Sequence, residues 1–331
     1  MKGEGMTKAD LITGFLGSGK TTFLNLYGKW LLSRGQKIGI IENDFGAVNV
    51  DMLFLRELEE QGAVTEMVAG GSDLETYRRR FRTKLIALGM QGLDRVLIEP
   101  SGVYDADEFF DVLYDDTLQK FYEIGNVIAV VDAKLEENLS EAADYLLVSQ
   151  LSEAGLVLLS RGEQASENET AKTIAHINRA MGKYGCDRRF REDAVTKSWK
   201  EFTDRDFENI LSCGYKPEDH IKLPPEQMNR FGSICYMNLT INEKELADLS
   251  RSLLSDSSCG SVFRVKGFIR TKDGFLEINA NHNGTQLRKT GSGQNVIIIV
   301  GEGLKEERIS EYFAPFQEKM EKRLISEKKQ I

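Results

Sequence analysis

A chain of 331 residues exceeds the roughly 250 over which a single core grows, so two domains are expected. Hydrophobic residues at 41% and charged residues at 29% are ordinary for a soluble globular protein, and no apolar run reaches the ~18–20 residues of a membrane span. With 43 basic against 52 acidic side chains the net charge is −9, which argues against a nonspecific nucleic-acid binder. The four cysteines, Cys186, Cys213, Cys235 and Cys259, are scattered and form no C-x-x-C pair. They read as reduced thiols of a cytoplasmic protein rather than a disulfide framework. His176, His220 and His282 are equally dispersed, so no local metal-ligand cluster is visible. Met1 to Asp10 is polar and lacks the apolar centre of a secretion signal.

In chain order, Ala9 to Thr13 is a short apolar strand running into a glycine-rich turn. Thr21 to Ser33 has helical spacing, with Phe23, Leu24, Tyr27 and Leu31 on one side. Lys37 to Glu42 and Ala63 to Val68 read as strands, and Arg78 to Leu88 as a helix. Arg95 to Glu99, Asn126 to Asp132 and Gly155 to Leu159 are continuous apolar runs of the kind that buried parallel strands require. This alternation predicts an α/β domain with a doubly wound, mostly parallel sheet over residues 6–220. The doublet Pro224-Pro225 marks a linker over 221–230. A smaller α+β domain is expected over 231–331. There Ser261 to Arg270 and Gly274 to Ala280 flank the hairpin signal Asp273-Gly274, Asn295 to Val300 is a strand, and Lys305 to Ile325 a helix.

The strongest signal is Gly14-Phe15-Leu16-Gly17-Ser18-Gly19-Lys20-Thr21, which fits G-x-x-x-x-G-K-[ST]. Gly14, Gly17, Ser18 and Gly19 let backbone N–H groups converge on phosphate oxygens, and the following helix adds the positive end of its dipole. Lys20 is placed for the β- and γ-phosphates, the Thr21 hydroxyl for Mg²⁺, and Thr22 for the α-phosphate. A turn that merely caps a helix explains neither the lysine nor the hydroxyl.

In Val96-Leu97-Ile98-Glu99-Pro100-Ser101-Gly102 an apolar strand ends in a carboxylate. Behind a phosphate loop, Glu99 stands where an acid holds Mg²⁺ or its water, and the Gly102 N–H where it senses the γ-phosphate. The alternative is a strand ending in a surface glutamate. Glu42-Asn43-Asp44-Phe45-Gly46 follows the second strand. Glu42 or Asp44 could approach Mg²⁺ or orient the attacking water, and a polar turn capping the next helix is the alternative.

Together these segments resemble the CobW/HypB/UreG family of P-loop GTPases, most closely its CobW-like branch. Thr13 to Thr22 is similar to the family's GFLGxGKTT, Glu42 to Gly46 to its ENEFG, Ile98 to Gly102 to its IExSG, and Val130 to Ala133 to its VVDA. Gln150 stands in the place of the family's Gln ahead of the base-recognition strand. Phe263 to Phe268 resembles the RxKG strand of the CobW C-terminal domain, and Val300-Gly301-Glu302 its last strand. The resemblance spans nearly the whole chain. It implies GTP and GDP binding with Mg²⁺, slow hydrolysis, and a role with a client metalloenzyme or cofactor-assembly protein such as one of cobalamin assembly. It also implies a nucleotide-dependent homodimer, while the net charge and the lack of a long apolar run leave neither nucleic acid nor membrane as an expected partner.

Two departures bear on these expectations. Where the CobW-like branch carries Gly-Cys-x-Cys-Cys, this chain reads Met67-Val68-Ala69-Gly70-Gly71-Ser72-Asp73-Leu74. A thiolate site for a soft transition metal has no ligands there. Where the family has its base-reading Asn-Lys-x-Asp, the residues are Ser160-Arg161-Gly162-Glu163. Glu163 could accept two hydrogen bonds from a guanine edge and Arg161 could lie against the base. The expected function is a GTP-hydrolysing switch on a cofactor client. Its alternatives are a metallochaperone with ligands elsewhere, a nonenzymatic nucleotide-gated adaptor and an ATP-preferring protein.

Overall fold

The apolar runs of the first half become strands whose alternate residues enter opposite cores. Ile41, Ile98, Val131 and Leu159 face one cluster, while Ile40, Leu97, Val130 and Leu158 face the other. A strand buried on both faces needs helices on both sides, and that is the physical content of a doubly wound fold. The structure is a computed structural model that describes residues 5–44, 52–69, 74–191, 195, 197–223, 231–291 and 293–317.

The chain divides into two units, Met1–Asn229 and Arg230–Ile331. In the first, β1 (Thr7–Thr13), β2 (Ile38–Asp44), β3 (Val64–Ala69), β4 (Arg95–Glu99), β5 (Tyr122–Asp132) and β6 (Leu156–Ser160) form one sheet. Its order is β3-β2-β4-β1-β5-β6, and every neighbouring pair is parallel. On one face lie α1 (Lys20–Ser33), α2 (Met52–Glu60) and α7 (Asp204–Leu211). On the other lie α3 (Leu74–Gly89), α4 (Asp107–Leu113), α5 (Glu141–Ser152) and α6 (Glu167–Lys183). The stripe of α1 is the expected one, with Phe23, Leu24, Tyr27 and Leu31 fully buried. Each such side chain contributes roughly 1.5–3 kcal/mol.

One polar network crosses this core. Asp10 of β1 is ion-paired with Arg95 of β4 and accepts the Asn126 backbone N–H of β5 at 2.8 Å. The pairing of β1 with β5 shifts register there, between Ala9 and Leu11. A buried carboxylate with these partners ties together the three strands whose far ends carry the site.

Residues 221–223 pack on the first unit, where the Ile221 N–H donates to the Tyr184 carbonyl at 2.7 Å. The remainder of the expected linker, including Pro224-Pro225, lies outside the described residues.

The second unit is an antiparallel sheet of order β10-β9-β8-β11-β7, built from β7 (Phe231–Met237), β8 (Ser261–Thr271), β9 (Gly274–Asn281), β10 (Gly284–Thr290) and β11 (Val296–Glu302). Two helices, α8 (Glu243–Ser255) and α9 (Glu306–Phe313), pack on it through Leu246, Leu249, Leu253, Ile309 and Phe313. The hairpin closes through Lys272-Asp273, and Gly274 begins β9 with φ near +130°. The long helix expected over Lys305 to Ile325 is corrected. The helix ends at Phe313, and Ala314–Phe316 is a short 3₁₀ turn. Pro315 has no N–H to continue the ladder and its ring clashes with the preceding turn. Residues from 318 onward lie outside the described residues.

Candidate functional site

The glycine-rich turn sits between β1 and α1 at the carboxyl ends of the strands, with β4 on one flank and β5 on the other. Gly14, Gly17 and Gly19 have φ near +141°, +72° and +103°, a region that other residues enter only with strain. A Cβ on Gly14 would stand 2.1 Å from the Val130 carbonyl oxygen, so the turn is also pressed against β5. Helix α1 starts from Gly19 with no side-chain cap and no acidic residue in its first turn. Its leading N–H groups and dipole therefore favour an anion.

Lys20 is buried, and its ammonium donates to the Gly14 carbonyl at 2.8 Å and to the Phe15 carbonyl at 3.4 Å. The lysine thus lies over its own loop. Thr21 donates from Oγ1 to Glu99 Oε1 at 2.7 Å. The end of β4 and the start of α1 meet there, 78 residues apart in sequence. Ser18 Oγ is buried and has no hydrogen-bond partner among the described residues. Thr22 lies exposed on the first turn of α1.

Glu42 ends up 2% exposed near the end of β2, where its Cα is in register with that of Glu99 on β4. Asp44 is the last residue of β2, and its side chain, with Phe45 and Gly46, lies outside the described residues. Gly102 rests on the phosphate loop, since a Cβ there would come within 2.6 Å of Leu16 N and 2.7 Å of Leu16 Cα. Gln150 of α5 is almost fully buried and donates from Nε2 to the carbonyls of Gly102 at 3.0 Å and Tyr104 at 3.1 Å. The sequence indicated Gln150 only by its place before β6. Its role in fixing the segment after β4 depends on a long-range contact.

On the other flank, Ser160 ends β6 with a buried Oγ that has no partner among the described residues. Arg161 follows in the left-handed region, φ near +55°. Its guanidinium is ion-paired with Asp132 at the end of β5 and donates to the Gly17 carbonyl at 3.0 Å. Arg161 therefore braces the phosphate loop instead of standing free beside it. Glu163 is exposed, and its carboxylate accepts from Ser198 Oγ at 2.5 Å and from the Lys200 ammonium at 3.3 Å. These hydrogen bonds, the Ser198 hydroxyl foremost, hold its carboxyl below the usual range. Trp199, on the same short segment, was not singled out by the sequence. A Cβ on Gly19 would stand 3.3 Å from its ring and 3.5 Å from Ser160 Cβ.

Three basic residues of α3 are ion-paired: Arg78 with Glu108 at 3.4 Å, Arg82 with Asp115 at 3.0 Å and Lys84 with Glu66 at 2.6 Å. Cys186 and Cys259 are buried, and Cys213 and Cys235 half-buried, all as free thiols. Among the described residues no group of three or more His, Cys, Asp or Glu could hold a metal ion. The stretch Gly70 to Asp73 lies outside them. No helix among the described residues is long and apolar enough to cross a membrane.

Comparison with known proteins identifies the family. The family model for the CobW/HypB/UreG nucleotide-binding domain matches residues 8–184. The chain is 29% identical over 310 residues to the zinc chaperone YeiR of Escherichia coli, covering 83% of this chain and 86% of that protein. It is 26% identical over 270 residues to the zinc chaperone YjiA of the same organism, covering 78% and 80%. It is also similar to the zinc-regulated GTPase metalloprotein activator 1 of Dictyostelium discoideum, 29% identical over 210 residues, 51% of this chain and 43% of that one.

Proposed function

Because the chain belongs to the CobW/HypB/UreG family, we propose that it is a GTP-hydrolysing switch acting on a client that handles a metal or a cobalamin-type cofactor. The observation that carries this reading is the 2.7 Å contact between Thr21 and Glu99 at the mouth of the phosphate loop. A hydroxyl and a carboxylate side by side are hard oxygen donors of the kind Mg²⁺ takes. Thr21 and Glu99 would hold that ion, which when bound neutralises charge on the β- and γ-phosphate oxygens.

The remaining roles belong to the chain. The loop N–H groups and the first turn of α1 bind the phosphates. Lys20 exchanges the Gly14 and Phe15 carbonyls for β- and γ-oxygens. Gly102, packed on Leu16, senses the γ-phosphate through its N–H, and Gln150 carries any movement of that segment to α5. Glu42 and Asp44 serve the attacking water. Turnover is slow in this reading, since the sequence identifies no arginine finger. A nucleotide-dependent homodimer belongs to the same proposal.

The zinc-chaperone relatives support a GTP-dependent metal-chaperone setting. The cysteine-free stretch Met67 to Leu74 supports switching over carriage at that place. The test is binding of a fluorescent GTP analogue with Mg²⁺, competed by GTP, GDP and ATP, together with phosphate release. GTP and GDP should compete well and ATP poorly. Lys20→Ala should weaken binding about 10- to 100-fold, the equivalent of about 1.5–3 kcal/mol of charged hydrogen bonding. Unchanged affinity in that variant would remove the assignment.

A further inference from the structure

Strand order decides which flank of the loop takes the nucleotide base. Glu99 ends β4 on one side of β1, while Asp132 and Ser160 end β5 and β6 on the other. If the terminal phosphate lies at the Thr21–Glu99 pair, the base extends toward β6. Beyond β6 the chain returns in parallel at Val195, whose N–H donates to the Val157 carbonyl at 3.0 Å and whose carbonyl accepts the Leu159 N–H at 2.9 Å. Residues 197–200 then emerge beside Ser160, at the same end of the sheet.

Two features of this segment bear on that flank, and one of them, Trp199, also packs at the edge of the core beneath α1. Its Ser198 and Lys200 occupy both carboxylate oxygens of Glu163, the residue that stands where a guanine edge would be read. Its Trp199 lies against Gly19 and Ser160, meets Phe23 edge to face with ring centres 5.7 Å apart, and remains partly exposed. The indole Nε1–H is buried with no acceptor among the described residues. An indole N–H only donates, so an acceptor on a ligand would satisfy it.

Resting on the GTPase reading, we infer that Trp199 is the base-contacting residue of this site, and that Glu163 is a latch holding the 197–200 segment rather than the reader of the guanine edge. A flat indole stacks on any purine, so it contributes affinity with little discrimination. A carboxylate already accepting a hydroxyl at 2.5 Å on one oxygen and an ammonium on the other would have to share both oxygens with this segment to receive N1–H and N2–H together.

Trp30 is the only other tryptophan, so Trp30→Phe leaves Trp199 as the sole indole reporter. In that variant, Trp199 emission is titrated with Mg-GDP and with Mg-pyrophosphate, while equilibrium dialysis of labelled GDP on the same samples measures binding directly. GDP should change the emission and pyrophosphate should not. Trp199→Phe, which keeps an aromatic face, should weaken GDP three- to tenfold and leave pyrophosphate within twofold. Glu163→Gln should move the GDP and ADP dissociation constants by the same factor. Dialysed GDP with silent emission, equal signals from GDP and pyrophosphate, or a Glu163→Gln effect of tenfold or more confined to GDP would each overturn the inference alone. Failure of the unaltered protein to bind GDP in dialysis would overturn the GTPase reading with it.

Discussion

Gly102 and Glu108 lie six residues apart in sequence and respond to substitution for opposite reasons. Gly102 is needed for space. A methyl group would strike backbone atoms of Leu16, which cannot rotate away as a side chain would. Gly102→Ala is therefore expected to cost about 1–3 kcal/mol of stability by overpacking. It should also displace the phosphate loop, with at least about a tenfold loss of GTP affinity in an equilibrium titration. Glu108 is a matter of solvation. Burial pushes its carboxyl up to about 7, outweighing Arg78 at 3.4 Å, whose half-exposed guanidinium is screened by water. The folded state thus binds the proton more tightly than the unfolded chain. Its contribution is complete below the ordinary carboxylate range and is lost as pH rises through about 7. Denaturant unfolding at several pH values should show Glu108 lowering stability by on the order of 2 kcal/mol between pH 5 and 7.5, and Glu108→Gln should remove that share of the slope while leaving the share of Glu153, whose carboxyl burial also raises to about 7.

Some helix ends close on themselves through side chains, and others, α1, α4 and α9 among them, carry no side-chain cap. At the start of α6, Ser166 Oγ accepts the Glu169 N–H at 3.2 Å and the Glu169 carboxylate accepts the Ser166 N–H at 2.8 Å, a complete capping box. Asn242 and Glu245 do the same for α8. Helix α1 has no such device, and unlike the equally uncapped α4 and α9 it has no acidic residue in its first turn, which leaves its terminus open for an anion. Ser166→Ala should lower stability by about 1 kcal/mol, a melting shift of about 2–4 °C, with GTP affinity unchanged. A loss of nucleotide binding in that variant would mean that α6 is coupled to the site.

The division of the chain into two units bears on how ligand binding is felt. The phosphate loop, Glu99 and the segment 197–200 all belong to the first unit. Nucleotide at about a hundred times its dissociation constant stabilises what binds it by about 2.7 kcal/mol. Scanning calorimetry with GDP is expected to raise one transition by roughly 5–10 °C and leave a second in place. If both rise together, the two units unfold as one cooperative block.

The phosphate loop and the doubly wound sheet were legible in the sequence because their signals are local. Eight consecutive residues spell the loop, and each strand's apolar run is read without knowing its neighbours. Pro315, which ends α9, was also printed in the sequence, yet the charge-rich helical pattern around it suggested a longer helix. What only the tertiary structure decided was which distant residues meet. Thr21 meets Glu99 across 78 positions, Gln150 holds Gly102 across 48, and Ser198 takes Glu163 across 35. Trp199 comes to Gly19 because the chain returns beside β6 at Val195. Spacing along the chain fixes an element and its period, while strand order sets these partners, and strand order is a property of the packed sheet as a whole.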